Sequence, residues 1–350
     1  MQINIEKLKA CAVDILIGCG ENQANAELIA NCMVQSDARG ITTHGTYLLS
    51  PIYQRAQVGQ LSLPTNAIIE KDDGATAIID GGDGLGAVAG MLAVETGISK
   101  AKQYGVAFVT IKNTNNIGVL ALYTERAASE GMIAIMSCNA AAAMAPWGAA
   151  EAFLGTNPFA ISIHTGQGKV FSADMASSVV ARGKIRKAAR NGETIPDNWA
   201  TDADGNFTTD PNAALDGALL PMGGPKGSAI GLTIDIMSGM LSGAAYAPNL
   251  KSFHAPEGKT GVGASLIVMD VARFLPLEQF QIQMNDYIES VKALKKAKGF
   301  NEIYMPGEIE LAREQVSKES GVLLDGNAVT ALNGLMEKLG LTSRLSEVNQ

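Results

Sequence analysis

The periodicity of apolar residues changes twice along the chain, and this change constrains the fold more than any other feature of the sequence. Residues 1–65 show helical spacing, with Asn4 and Asn22 as candidate caps for the first two helices. Between residues 66–276, short β-branched runs alternate with helical stretches and Gly-rich turns. The spacing is helical again over 277–350. We therefore predict a discontinuous helical domain, made of 1–65 with 277–350, and an α/β domain at 66–276.

The composition indicates a folded, acidic protein. Hydrophobic residues make up 47% and charged residues 18% of the 350 residues, which provides a sizeable core and excludes disorder as the main state. Lys and Arg total 27 against 35 Asp and Glu, so the formal net charge is -8. A chain of this charge repels phosphate backbones and anionic lipids. We expect neither nucleic acid nor a membrane as a partner.

The sequence contains no pattern typical of a targeting signal or a metal site. The N-terminal segment is amphipathic rather than a secretory signal, and the longest apolar stretch, residues 229–247, contains Asp235 near its middle. The four cysteines form no CxxC pair and have no histidine at metal-ligand spacing. We therefore expect a cytoplasmic protein with free thiols and without a metal site.

The segment GGDGLGAVAG at 81–90 admits two interpretations. It follows a predicted strand at 76–80 and precedes a helix, as does a dinucleotide-binding loop whose helix amides face a pyrophosphate. The next predicted strand, at 106–111, ends in Lys112 and Asn113 rather than in the acid that such folds place against a ribose. This departure favours a structural turn, with a phosphate loop as the alternative.

His44 is the strongest candidate for proton transfer among the three histidines. It follows a Gly-terminated helix and lies among Thr and Gly residues, where hydroxyl and backbone groups can orient an imidazole ring. His164 and His254 lie in predicted loops, where solvated side chains are the simpler interpretation. Solvation is also the alternative for His44.

Three further segments have the residue types of ligand-binding loops. Residues 113–118 place Asn and Thr side chains directly after a predicted strand. Lys184 and Lys226 follow small residues and glycines, so that backbone and an ammonium group can approach a phosphate or carboxylate. Helix capping by the Asn and Thr residues and solvation of the lysines are the alternatives.

Ten short segments, in their order along nearly the whole chain, resemble the malate/L-lactate dehydrogenase family of NAD(P)-dependent oxidoreductases, which includes ureidoglycolate dehydrogenase and diketogulonate reductase. The segments are DARGITTHG (37–45), NTNNIG (113–118), APWG (145–148), GTNPFA (155–160), DMASS (174–178), GKI (183–185), IPDNWATDADGNFTTDP (195–211), LPMGGPKG (220–227), MSGMLSGA (237–244) and MPGE (305–308).

The resemblance implies a fold and an assembly. The implied fold is α/β (α+β) and non-Rossmann, with a large, mainly antiparallel sheet and a helical domain formed by both termini. A homodimer with its active site between the domains is also implied. Because this family binds NAD or NADP outside any GxGxxG loop, the resemblance assigns 81–90 to a structural turn.

The resemblance also implies roles for residues at matching positions. The positions implied to bind the cofactor are Asp174, Met175, Ala176, Lys226, Gly307 and Glu308. Among them, Lys226 would contact the phosphate or ribose region, and residues 307–308 would approach the adenosine side. His44 matches a histidine that contacts the substrate oxygen, and Thr43 would lie beside it in the substrate site.

Two positions depart from the usual pattern of this family. Asn116 stands where a second active-site histidine is typical, and Asn can hydrogen-bond an oxygen but cannot exchange a proton near pH 7. Leu48 stands where members that clamp a substrate carboxylate usually have Arg. Either Arg182 supplies the carboxylate contact, or the substrate is less anionic and Leu48 lines an apolar pocket.

We therefore expect an enzyme that transfers a hydride between nicotinamide and a small 2-hydroxy or 2-oxo acid, such as malate, lactate or ureidoglycolate. His44 is the expected acid/base catalyst, with Thr43, Asn116 and Arg182 binding the substrate. One alternative is a cofactor-binding member of the family without dehydrogenase activity. The other is a reductase of a less anionic carbonyl or imine.

Overall fold

The computed structural model describes residues 1–166, 170–255 and 257–347. Its α-helices are α1 (Ile5–Gly18), α2 (Gln23–Ala38), α3 (Leu49–Gln57), α4 (Gly86–Tyr104), α5 (Ala121–Ala128), α6 (Arg182–Asn191), α7 (Pro211–Asp216), α8 (Pro225–Asp235), α9 (Leu277–Lys292), α10 (Glu308–Ser320) and α11 (Gly326–Lys338). Its strands are β1 (Gln2–Ile3), β2 (Ile68–Asp73), β3 (Thr76–Asp80), β4 (Val106–Thr114), β5 (Met132–Cys138), β6 (Phe159–His164), β7 (Val170–Met175), β8 (Val262–Asp270) and β9 (Val322–Leu323).

Side-chain caps begin the first two helices. Oδ1 of Asn4 accepts hydrogen bonds from the backbone N–H groups of Glu6 and Lys7, both at 3.0 Å. Oδ1 of Asn22 accepts one from the N–H of Asn25, also at 3.0 Å. These bonds satisfy N–H groups that the first turn of a helix leaves unpaired. The two predicted helix starts are confirmed.

The two ends of the chain share one hydrophobic core. Buried side chains of α1, α2 and α3 pack against those of α11 and the segment that follows it; they include Leu8, Ile15, Leu16, Ile29, Leu49, Ile52, Leu332 and Met336. Strand β1 pairs antiparallel with β9, with Ile3 opposite Val322. The helical termini therefore fold against each other.

The large sheet has seven strands in the order β2-β3-β4-β8-β5-β6-β7. Five of its neighbouring pairs are antiparallel, and β3 with β4 is parallel. Helix α4 connects this parallel pair and packs with α5 against the apolar face of the sheet. A mainly antiparallel sheet differs from the parallel, doubly wound sheet of Rossmann folds. The expected non-Rossmann α/β class is confirmed.

Residues of the loop after β4 pack against the Gly-rich turn between β3 and α4. A Cβ at Gly86, the first residue of α4, would lie 2.6 Å from the carbonyl oxygen of Asn116 and 2.7 Å from Cα of Ile117. Nδ2 of Asn115 donates hydrogen bonds to the carbonyl oxygens of Asp83 and Gly84, both at 2.9 Å. The helix start is therefore covered by the loop after β4, which explains why this turn is structural.

Helix α9 lies against the sheet rather than in the core of the termini. A Cβ at Gly131 would lie 3.0 Å from Cδ2 of Leu277, and Nε2 of Gln281 lies 2.7 Å from Nε2 of His164 at the end of β6. The domain boundaries at 65/66 and 276/277 stay a prediction. The last three residues of the predicted range 277–350 lie outside the described residues.

The apolar stretch at 229–247 forms part of α8 and a π-helical turn at Ile236–Met240. Asp235 is buried there, and its carboxylate accepts a hydrogen bond from the N–H of Ala247 at 3.2 Å. No helix among the described residues is both long and apolar enough to cross a bilayer. The four cysteines are free thiols. The described residues also contain no group of three His, Cys, Asp or Glu side chains suited to a metal ion.

Candidate active site

Two short 3₁₀ turns after α2, Thr42–His44 and Thr46–Leu48, carry the histidine predicted to be catalytic. The buried carboxylate of Asp37 supports the second turn, because its Oδ2 accepts hydrogen bonds from the N–H of Thr46 at 2.8 Å and from the Thr46 hydroxyl at 2.6 Å. A Cβ at Gly45 would overlap this carboxylate. Burial raises the pKa of Asp37 to about 6. Asp37 and Gly45 therefore set the position of His44.

His44 is held in a neutral state by its surroundings. Its Nδ1 lies 3.0 Å from Oγ1 of Thr43, which orients the ring. Desolvation by the surrounding protein, with a smaller effect of the positive charge of His254, lowers the pKa of His44 to about 4. A neutral imidazole can accept a proton from a substrate hydroxyl near pH 7.

One narrow cleft brings His44, Leu48 and Asn116 together. Its walls come from α2, α3 and the start of α4, together with the loop after β4 and Phe253. Leu48 is buried and contributes an apolar wall. Oδ1 of Asn116 accepts a hydrogen bond from the N–H of Gly118 at 2.9 Å, while its Nδ2 has no partner among the described residues. Asn116 can therefore donate a hydrogen bond into the cleft.

Arg39, at the C-terminal end of α2, joins the His44 segment to two other helices. Its guanidinium donates two hydrogen bonds to Glu125 of α5, at 2.9 and 2.8 Å, and its Nε donates one to Glu314 of α10 at 2.7 Å. All three side chains are largely buried. Sequence reasoning missed Arg39 and Asp37, although both lie in the DARGITTHG segment that pointed to His44.

The predicted cofactor residues at 174–176 lie at the end of β7, next to the cleft. Oδ2 of Asp174 accepts a hydrogen bond from the N–H of Ala121, the first residue of α5, at 2.9 Å. Desolvation by the surrounding protein raises the pKa of Asp174 to about 6, although one side of the residue is open to solvent. Met175 is 40% exposed. Because α5 follows the loop that carries Asn116, the end of β7 lies beside that loop.

The segment around Gly307 packs on the middle of β7. Gly307 has a φ of +90°, and a Cβ there would lie 3.0 Å from both Cβ and the carbonyl oxygen of Ser172. Only glycine allows this approach with a left-handed backbone. The carboxylate of Glu308 accepts a hydrogen bond from the N–H of Met305 at 2.9 Å and forms an ion pair with Lys292 at 2.6 Å. Glu308 thus holds this segment in place.

Lys226 is exposed in the first turn of α8 and has no hydrogen bond or ion pair with another described residue. The loop before it lies next to residues 174–176, because the N–H of Met222 donates to the carbonyl oxygen of Ser177 at 2.9 Å. Trp147 covers this loop, and a Cβ at Gly224 would lie 3.1 Å from its ring. The ammonium group of Lys226 is therefore available to an anion.

These cofactor positions follow one edge of the sheet, since β7 is its last strand. Residues 307–308 lie beside the middle of β7, and residues 174–176 are at its C-terminal end. The loop that leads to Lys226 lies just beyond that end. The backbone at Gly307 can lie against an adenosine, the carboxylate of Asp174 can accept a hydrogen bond from a ribose hydroxyl, and the ammonium group of Lys226 can bind a phosphate. The residues present fit an extended dinucleotide.

Arg182 begins α6, close to the His44 turn. A Cβ at the next residue, Gly183, would lie 3.3 Å from Cγ2 of Thr43. Nη2 of Arg182 donates a hydrogen bond to the carbonyl oxygen of Leu215 at 2.6 Å. Desolvation and the charge of Arg186 lower the pKa of Arg182. The start of α6 therefore lies beside the His44 turn, and one nitrogen of the Arg182 guanidinium donates to α7.

Known proteins resemble the chain over almost its full length. The malate/L-lactate dehydrogenase family model matches residues 3–333. L-sulfolactate dehydrogenase of Methanocaldococcus jannaschii is 37% identical over 341 residues, which are 97% of this chain and 98% of that protein. Ureidoglycolate dehydrogenase (NAD(+)) of Escherichia coli (strain K12) is 31% identical, covering 92% of each chain. (2R)-3-sulfolactate dehydrogenase (NADP(+)) of Chromohalobacter salexigens is 31% identical, covering 92% of this chain and 94% of that protein.

The fold agrees with these sequence matches. The solved structure of sulfolactate dehydrogenase from Methanocaldococcus jannaschii superposes with a TM-score of 0.92 over 97% of this chain and 98% of that chain. Sequence and fold thus match the same family along almost the whole length of both proteins. The chain belongs to the malate/L-lactate dehydrogenase family of NAD(P)-dependent oxidoreductases.

Proposed function

We propose that this oxidoreductase transfers a hydride between a nicotinamide cofactor and a small 2-hydroxy or 2-oxo acid. The observation that carries the proposal is the position of His44 and Asn116 in one cleft beside the end of β7. A proton-transfer group and a hydrogen-bond donor face the same space there, next to the sheet edge suited to a dinucleotide. The names of the relatives, which act on sulfolactate and ureidoglycolate, support this class of substrate.

His44 is the proposed acid/base group. Oxidation of a 2-hydroxy acid requires that its hydroxyl proton be removed, and reduction of a 2-oxo acid requires that the new alkoxide be protonated. The lowered pKa of His44 keeps the imidazole in the form that accepts the hydroxyl proton. Thr43 orients the ring, and Nδ2 of Asn116 donates a hydrogen bond to the substrate oxygen.

NAD or NADP, which supplies or accepts the hydride when bound, would lie along β7. The carboxylate of Asp174 is the acceptor for cofactor hydroxyl or amide groups, and Met175 and Ala176 line the same strand end. Lys226, in the first turn of α8, would contact the phosphate or ribose region. Residues 307–308 would flank the adenosine side, where Glu308 holds its segment in place.

Arg182 is the proposed contact for the substrate carboxylate. A guanidinium has five N–H donors, and the bond to Leu215 uses one of them. The contact of Gly183 with Thr43 places the start of α6 at the edge of the His44 turn. Leu48 supplies an apolar wall rather than a second clamp. This arrangement suits a small acid such as malate, lactate or ureidoglycolate.

A cofactor titration combined with a turnover assay tests the proposed function. We expect the purified protein to quench or enhance NADH or NADPH fluorescence and to oxidise that cofactor with at least one 2-oxo acid. His44→Gln should retain cofactor binding and lose turnover by about 100-fold or more, because a positioned acid/base contributes about that much. Unchanged turnover would remove His44 from the mechanism.

The same assay distinguishes the two alternative functions. Binding without oxidation by any 2-oxo acid would identify a cofactor-binding protein that lacks dehydrogenase activity. Turnover with neutral carbonyls or cyclic imines, but not with 2-oxo acids, would identify a reductase of less anionic substrates. Either result would contradict the proposed substrate class.

We further propose a cytoplasmic homodimer without nucleic-acid or membrane partners. The net charge of -8 and the four free thiols support this location and the absence of polyanionic partners. Large apolar side chains on and beside α9 are exposed and support self-association; they are Phe274, Ile282, Tyr287, Leu294 and Phe300.

A further inference from the structure

The cleft beside His44 is apolar along most of its wall. Several of its lining side chains are buried members of the core that the two ends of the chain share; they are Ile29, Met33, Leu48, Ile52, Leu85 and Phe253. Ile117 and Val119, from the loop after β4, add to the apolar lining. No Lys, Arg, Asp or Glu of the described residues lines the cleft. Such a wall favours an alkyl group, because a charged group placed there loses its water without gaining a partner.

The polar side chains that line the cleft are uncharged; they are Cys32, Ser36, His44 and Asn116. Burial raises the pKa of Cys32 to about 11, so its thiol is neutral near pH 7. The hydroxyl of Ser36 donates to the carbonyl oxygen of Cys32 at 2.7 Å. His44 and Asn116 are the groups assigned to the reacting oxygen of the substrate. None of these four side chains can form an ion pair with a second acid group near pH 7.

Leu48 belongs to the same short segment as His44. The turns Thr42–His44 and Thr46–Leu48 follow each other directly, and the N–H of Leu48 donates to the carbonyl oxygen of Gly45 at 3.0 Å. The carbon that carries the reacting oxygen of a 2-oxo acid has two other substituents, the carboxylate and the side group. Because Arg182 is the proposed contact for the carboxylate, the side group is the substituent left for the apolar wall.

Phe253 is held in its position on the wall by Arg55. The guanidinium carbon of Arg55 lies 5.6 Å from the centroid of the Phe253 ring, a distance typical of a cation–π contact. The same guanidinium donates to the carbonyl oxygens of Ala255 at 2.7 Å and Gly258 at 2.6 Å. Arg55 itself does not line the cleft. It therefore fixes an apolar side chain there without placing its charge on the wall.

We propose that the apolar part of the cleft binds an alkyl side group of the substrate, so that the enzyme prefers 2-oxo and 2-hydroxy acids with an alkyl group longer than methyl to acids with a second carboxylate. The inference rests on the proposed function, because it assigns the substrate class of that same site. Leu48 is a specificity-determining residue here, and Phe253 contributes to the same wall. The proton transfer at His44 is unchanged.

Steady-state kinetics of the wild-type protein give the first test. Pyruvate, 2-oxobutyrate and oxaloacetate differ only in the side group, which is methyl, ethyl and carboxymethyl. We expect kcat/KM for 2-oxobutyrate to exceed that for pyruvate by about fourfold, the effect of removing one methylene from water. It should exceed that for oxaloacetate by about 30-fold or more, because a carboxylate in the cleft has no ion-pair partner. Equal or faster use of either pyruvate or oxaloacetate would overturn the inference and leave the proposed function intact.

Leu48→Ala tests whether this wall selects the side group. The variant enlarges the cleft, so two more side-group carbons can leave water. The ratio of kcat/KM for 4-methyl-2-oxopentanoate to kcat/KM for 2-oxobutyrate should therefore increase by about 10-fold. This ratio does not depend on the amount of folded protein, so partial unfolding of the variant leaves the comparison valid.

Leu49→Ala is the matched control, because Leu49 is the next residue, is also buried in the shared core and does not line the cleft. It should leave the ratio unchanged. An unchanged ratio in Leu48→Ala, or an equal increase in both variants, would show that Leu48 does not select the side group and would overturn the inference.

A binding measurement separates the inference from the proposed function. N-ethyloxamate and N-oxalylglycine are analogues of 2-oxo acids that differ only in a terminal methyl or carboxylate. Calorimetric titration in the presence of NADH should show N-ethyloxamate binding about 30-fold more tightly or better. If no 2-oxo acid is turned over while this preference is observed, the proposed function is wrong and the apolar site stands. Equal binding of the two analogues, tighter binding of N-oxalylglycine or binding of neither overturns the apolar site.

Discussion

Two titratable groups, His44 and Asp37, set the chemistry of the cleft at the scale of single residues. Both have pKa values displaced toward their neutral forms, His44 to about 4 and Asp37 to about 6. Loss of water around a charged group causes shifts in these directions. Gly45 and Thr46 connect the two, because Asp37 binds Thr46 and lies against Gly45. Asp37 shapes the turn, and His44 is the proposed acid/base group.

The pH dependence of the reaction should follow His44. With a pKa of about 4, His44 is a base above this pH, so kcat/KM for oxidation of a hydroxy acid should stay level from about pH 8 to 5 and fall below about pH 4. Initial rates across this range, with activity recovered on return to pH 7.5, give the profile. An acid limb centred at or above pH 6.5 would contradict the assignment.

A second variant checks the cause of the shift. The charge of His254 is the smaller cause that lowers the pKa of His44. His254→Gln removes that charge, so the acid limb of the profile should move to higher pH. An unmoved limb would show that desolvation alone sets this pKa.

Asp37 should make the stability of the protein depend on pH. Its native pKa of about 6 lies above the ordinary 3.8, so the folded state binds a proton more tightly than the unfolded state and loses stability as pH rises from about 4 to 6. Wild type should lose about 2 kcal/mol of its free energy of unfolding through this group when the pH rises from 4.5 to 7.5. Asp37→Asn should not show this loss, so its stability relative to wild type should increase by the same amount. Urea unfolding at both pH values measures the gain. The exposed Asp197→Asn variant is the control and should show no such gain.

At the scale of elements, one arginine connects α2, which borders the cleft, to α5 and α10. Arg39 binds Glu125 of α5 and Glu314 of α10, and Lys318 also binds Glu314. Helix α5 in turn begins at Ala121, whose N–H binds Asp174 at the end of β7. The His44 turn and the end of β7 are therefore positioned by one chain of contacts through α5.

Removing Arg39 should destabilise the fold far more than removing an exposed arginine of α5. Arg39→Ala leaves the carboxylate of Glu125, 14% exposed, without an ion-pair partner among the described residues and leaves Glu314, 9% exposed, with Lys318 alone, so we expect a loss of about 3–5 kcal/mol. Arg126→Ala breaks exposed ion pairs with Glu95 and Glu130 and should cost less than about 1 kcal/mol. Urea unfolding of both variants makes the comparison, and similar losses would contradict the special role of Arg39.

At the scale of the whole molecule, the cleft lies between the large sheet and the hydrophobic core that the N- and C-terminal helices share. Its lining residues come from α2 and α3 on one side and from the loops around α4 and β4 on the other. Helix α9 has no fully buried residue, although its sequence is amphipathic, and Gln281 of this helix contacts His164 at the end of β6. An apolar helix face left open in this way is typical of a subunit interface.

Light scattering coupled to size-exclusion chromatography should show a dimer. Ile282 of α9 is 64% exposed, and Ile282→Asp should shift the protein toward a monomer because it places a charge in the proposed interface. Val58, which is 53% exposed at the end of α3, provides the control: Val58→Asp should leave the dimer intact. A dimer that tolerates Ile282→Asp would place the interface elsewhere.

Local patterns predicted the parts of the fold that depend on neighbours in sequence. The caps at Asn4 and Asn22 follow from short side chains next to apolar periodicity, and both are present. The family segments identified the fold class and pointed to His44. The same patterns could not reveal the role of Arg39, because its partners Glu125 and Glu314 lie far away in sequence.

The sequence by itself determined a mixed fold with helical ends, its family, and the residue types of the site. The tertiary structure alone decided that the Gly-rich turn is filled by the loop after β4, that Arg182 binds the carbonyl of Leu215, and that His44 is neutral. Periodicity and capping are local properties that a sequence displays directly. Steric exclusion, hydrogen-bond partners and desolvation depend on groups that only folding brings together.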